Sequence, residues 1–86
     1  MTWAVRVNEI KMAGRPDFSL ELWQGQSWTF ARHDRLRVVY PTRYGRIVDV
    51  TCRDQQQADD LVEQLVGKGI PIEALRVIGG PNRVAK

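Results

Sequence analysis

FSLELWQGQSWTFAR, residues 18–32, sets two short apolar alternations on either side of a glycine. Phe18, Leu20 and Leu22 are in phase in "FSLELW", Trp28 and Phe30 are in phase in "SWTFAR", and "QGQ" between them is short enough for a hairpin connection. A period of two is what a strand with one buried face requires, so the segment is expected to form a pair of strands with Trp28 and Phe30 in the core. Trp23 falls out of phase with the residues before it. It is expected to face solvent beside the turn and is a candidate protein-interaction residue, because Trp and Arg dominate binding hot spots.

The flanking segments extend the pattern. On the N-terminal side, "WAVRVN" (residues 3–8) alternates Trp3, Val5 and Val7 with Ala4, Arg6 and Asn8, and Gly14 and Pro16 then break regular structure. On the C-terminal side, "RLRVVY" carries Leu36, Val38 and Tyr40 in phase, "PTRYG" turns the chain, and "RIVDVTC" answers with Val48, Val50 and Cys52. Arg35, Arg37 and Val39 then face outward on one strand, and Ile47, Asp49 and Thr51 on the other. After residue 52 the period changes. Asp54 is placed to cap a helix in which Ala58, Leu61, Val62 and Leu65 recur at helical spacing, and Gly67, Gly69 and Pro71 supply the stop. "ALRVI" (residues 74–78) is a last short strand, which a crossover could place parallel to another strand. The expected fold is α+β: a mostly antiparallel curved sheet of about five to six short strands, with one amphipathic helix near the C-terminus packed on one face. Residues 1–81 are expected to form a single globular domain and residues 82–86 a flexible tail.

Composition narrows the function. Eighty-six residues with 43% hydrophobic and 27% charged content suit one globular domain, and no apolar run approaches the length of a membrane span. The N-terminal stretch lacks the uninterrupted apolar core of a signal peptide, so a cytoplasmic protein is expected. The single cysteine, Cys52, excludes an internal disulfide, and one histidine, His33, leaves no Cys/His set for zinc. His33 and Asp34 with Ser19 or Ser27 lack the context of a catalytic triad. A non-enzymatic role without a cofactor is expected.

Charge points to a partner. The net charge is +3, yet residues 25–46 alone carry five arginines against one acid, while the remaining chain has eight basic and nine acidic residues. The positive excess therefore belongs to one segment, and Arg32, Arg35, Arg37, Arg43 and Arg46 are the candidate contacts for an acidic ligand. A guanidinium presents a planar fork of donors that matches phosphate or carboxylate. Tyr44, in the turn beside Arg43, is the aromatic expected to be exposed and able to stack on a base. The first reading is a small binding domain that contacts the backbone of RNA or DNA through this Arg-rich hairpin. The alternative is a protein-interaction module (an accessory subunit, adaptor or inhibitor) docking on an acidic partner protein. The first and last strands are expected at the sheet edges, which suggests a homodimer.

"ADDLVEQLVGKGI" followed by "LRVIGG" resembles the closing helix and strand of peptidoglycan-binding SPOR domains. The resemblance covers less than half of the chain and lacks the preceding paired repeat, and no residue role is carried over from it.

Overall fold

The computed structural model describes residues 3–14, 19–43 and 45–79. In chain order the elements are β1 (Trp3–Asn8), α1 (Glu9–Ala13), α2 (Ser19–Arg32), β2 (Leu36–Thr42), β3 (Gly45–Cys52), α3 (Gln55–Gly67), a 3-10 turn (Ile72–Ala74) and β4 (Leu75–Gly79). The α+β class and the antiparallel sheet agree with the sequence reading, but the described residues form four strands and three helices. Tyr44 and the 82–86 tail lie outside the described residues. No helix among the described residues is long and apolar enough to cross a membrane.

The departure is the segment 19–32, a helix where two strands were expected. Its buried residues are Ser19, Trp23, Ser27 and Phe30, a spacing of four, four and three that forms one helical stripe. Two of the four are serines, so an inventory of apolar residues misses the stripe. Both hydroxyls find backbone acceptors: Ser27 Oγ donates to the Gln24 carbonyl at 3.0 Å and Ser19 Oγ to that of Gly69 at 3.4 Å. Leu22 and Trp28, which created the strand-like alternation, are 46% and 63% exposed. Trp23, expected at the surface, is fully buried, with its ring centroid 6.1 Å from that of Phe30. Gly25 sits in the helix interior, where it costs about 1 kcal/mol relative to alanine without ending the helix.

The sheet order is β2-β3-β1-β4, with every neighbouring pair antiparallel. β1 is therefore central and the edges are β2 and β4, so the last strand lies at an edge as expected and the first does not. β4 is parallel to β3, but only with β1 between them, and β1 and β2 are likewise separated by β3. Two β-α-β units are thus interleaved, the split arrangement of a β-α-β-β-α-β chain.

Helices α2 and α3 share one face of the sheet, since Trp23, Phe30, Ala58, Leu61 and Leu65 form a single core with Val5, Val7, Val48, Val50 and Cys52. Asp54 caps α3 as expected, accepting from the Gln57 N–H at 2.8 Å. Asn8 ends β1 and caps α1 through its side-chain oxygen, 3.0 Å from the Ile10 N–H. The β2–β3 turn then closes against α1. Gly45 has φ +147°, and a Cβ there would stand 3.2 Å from Ile10 N, so glycine alone fits.

Candidate functional site

The face of the sheet opposite the two helices carries the residues that alternate with the core. Because β1, β2 and β4 are in register with β3 or β1, these residues line up across the strands. Arg37 pairs with Asp49, Asp49 with Arg6, and Arg6 with Arg76, giving a row of three arginines and one aspartate across all four strands. Beside it runs a second row, Tyr40, Ile47 and Asn8. Tyr40 was expected in the core by parity. A bulge between Val38 and Tyr40 makes Val48 and Ile47, adjacent on β3, face residues two apart on β2, which turns Tyr40 to the open face at 58% exposure.

Within the row, Arg6 is held by Asp49. Its Nε donates to Oδ1 at 2.8 Å and its Nη2 to Oδ2 at 3.1 Å, a bidentate pair that leaves Nη1 unclaimed. The Asp49 hydrogen bond raises the Arg6 pKa against the opposing effect of partial burial. Arg37 and Arg76 are exposed, and neither has an ion pair with a described residue. Between the rows and the start of β4 lies a depression of about 460 Å³, whose lining includes Arg6, Lys11, Tyr40, Ile47 and Arg76, with Glu73 the acid on its rim.

The five arginines of the basic segment separate in space. Only Arg37 is on the open face. Arg32 is exposed at the end of α2, its guanidinium 5.2 Å from the centre of the Trp28 ring. Arg35 reaches back to the helical side, donating from Nε to the Thr51 carbonyl at 3.0 Å and lying 5.3 Å from the Phe30 ring centre. Arg43 is exposed in the β2–β3 turn. Arg46 is structural: its backbone N–H, Nε and Nη2 all donate to the carboxylate of Glu9, at 3.2, 3.1 and 2.9 Å. Those bonds raise the Arg46 pKa. Glu9 is itself 4% exposed and also accepts from Trp23 Nε1 at 2.7 Å, so the tryptophan proposed for a partner is an internal strut.

Arg6, Arg76 and Tyr40 were not singled out from sequence as site residues. Arg6 and Arg76 each stand one residue out of phase with an apolar strand series, which signals an outward side chain. Only the strand order shows that they are neighbours. Burial pushes the Cys52 thiol up, with nearby Arg35 opposing, and the hydroxyls of Ser19 and Ser27 are buried and bonded to backbone. Among the described residues no group of three His, Cys, Asp or Glu side chains could hold a metal ion. No family model, curated protein or solved structure matches the chain.

Proposed function

We propose that this chain is a non-catalytic, cytoplasmic binding domain that takes the backbone of a nucleic acid on its open sheet face. The observation that carries this reading is the row Arg37, Asp49, Arg6 and Arg76 on the face opposite α2 and α3. Arg37 and Arg76, which have no ion pair with a described residue, offer guanidinium forks to phosphate oxygens, and Arg6 is held in place by Asp49 with donors to spare. The Arg-rich hairpin contributes through Arg37, while the strands beside it supply the rest.

The test is a polarisation titration with generic single- and double-stranded DNA and RNA at two salt concentrations. Binding should fall steeply as salt rises, because phosphate contacts release counterions. Changing Arg37 and Arg76 together to Gln should leave the melting temperature nearly unchanged, since exposed charges contribute little to stability. The same change should weaken binding to all sequences and lower the salt slope by roughly one to two units. If no oligonucleotide binds at low salt, the row is instead a dock for an acidic protein.

A second observation favours self-association. Val38, Val39 and Tyr40 are 46%, 41% and 58% exposed, and all lie on β2, an edge strand of the sheet. Two copies joining these edges antiparallel would pair Val38 of one with Val39 of the other across a two-fold axis. Sedimentation at micromolar concentration should show a dimer that Val39→Lys converts to a folded monomer. A monomeric parent protein would remove this reading.

A further inference from the structure

Resting on the nucleic-acid reading, we infer that the ligand is single-stranded, with a base laid on Tyr40 and Ile47 and its phosphates along Arg6 and Arg76. Four strands make the face roughly 14 Å wide at ~4.8 Å per step before side chains are added. The major groove of a duplex is about 12 Å wide and admits one helix or a two-stranded ribbon. This face therefore meets a duplex only at its phosphate ridges, and a base reaches the sheet only when it is unpaired.

The surface is shaped for such a base. The apolar row and the cationic row lie two residues apart along β1 and β3, about 7 Å, which is the width of a sugar ring with its linkages. Tyr40, 58% exposed, offers its ring at one end of the depression and Ile47 adds an aliphatic floor. Asn8 lines the same depression with its amide oxygen already accepting from Ile10 N–H, so its amide N–H groups remain to meet the carbonyl oxygens of a base edge.

The experiment compares single-stranded hexanucleotides, duplexes of the same sequence and free nucleoside triphosphates against the parent protein, Tyr40→Ala and Tyr40→Phe. Single strands should bind more tightly than duplexes. Tyr40→Ala should weaken single-strand binding by about 5- to 150-fold, the range for losing one stacked base. Tyr40→Phe should retain most of the affinity, and duplex binding should not respond to either change. If Tyr40→Ala lowers the melting temperature, Ile47→Ser reads the same seat from β3 and should show the same selectivity. Equal affinity for duplex and single strand overturns the inference, as does a single-strand affinity indifferent to Tyr40 and Ile47 while the Arg37/Arg76 variant still loses binding. In that case the backbone reading stands and the base seat falls. Tight, Tyr40-dependent binding of free triphosphate without binding of oligonucleotides would also overturn it. Absence of any oligonucleotide binding at low salt fails the underlying reading itself.

Discussion

Replacing Glu9 with alanine should destabilise the protein by about 3 kcal/mol, read as a lowered denaturant midpoint, because a buried ion pair loses one partner. The Glu9 carboxylate is the meeting point of three elements: it starts α1, receives the indole N–H of Trp23 from α2, and holds the backbone and guanidinium of Arg46 from β3. Removing it orphans a fully buried indole N–H, which costs about 1–3 kcal/mol by itself. The Arg46 side chain is 39% exposed and recovers some hydration, which holds the total to the lower end of the buried-pair range. Glu9→Gln keeps the volume and one acceptor but sets an amide NH₂ against a guanidinium, so its loss should be smaller. A midpoint unchanged in Glu9→Ala would show that water replaces the carboxylate and that the three elements hold together without it.

Leu61→Ala should cost about 2–5 kcal/mol, a large share of the total for a small domain without disulfides. Leu61 is 6% exposed and lies on the buried stripe of α3 with Ala58 and Leu65, both fully buried. The cavity would open in the single core shared by both helices and the sheet. Val66→Ala provides the contrast: on the same helix but 39% exposed, it should shift the urea midpoint little. Equal effects from the two substitutions would show that α3 is not seated on the sheet as described.

Where apolar residues alone carried the pattern, the sequence was readable: β1, the β2–β3 hairpin and α3 all stand near their expected positions. It failed where a polar residue occupied a buried position. Ser19 and Ser27 complete the stripe of α2, and their hydroxyls are satisfied by backbone carbonyls that no pattern of hydropathy reveals. Tyr40 was misplaced by one inserted residue, since a bulge reverses the parity of everything beyond it. The roles of Trp23 and Arg46 depend on Glu9, 14 and 37 positions away, a contact that only tertiary structure supplies. For the site, the outward parity of Arg6 and Arg37 was legible, whereas their assembly into one row with Arg76 required the order of the strands.

That order also has a consequence in time. β1 is the earliest strand to be synthesised, yet it occupies the middle of the sheet, where Trp3 faces Cys52 on one side and Gly79 on the other. At roughly 5–20 residues per second, several seconds pass on the ribosome before either neighbour exists. Throughout that interval Val5 and Val7, both fully buried in the finished sheet, have no strand on either side of them. The hairpin of β2 and β3 can close early, but the sheet is completed only when residues 75–79 arrive. Pausing between the codons for residues 52 and 75 would prolong a half-built sheet with an open central strand, making elongation speed over that stretch a determinant of how much of this protein reaches its native form.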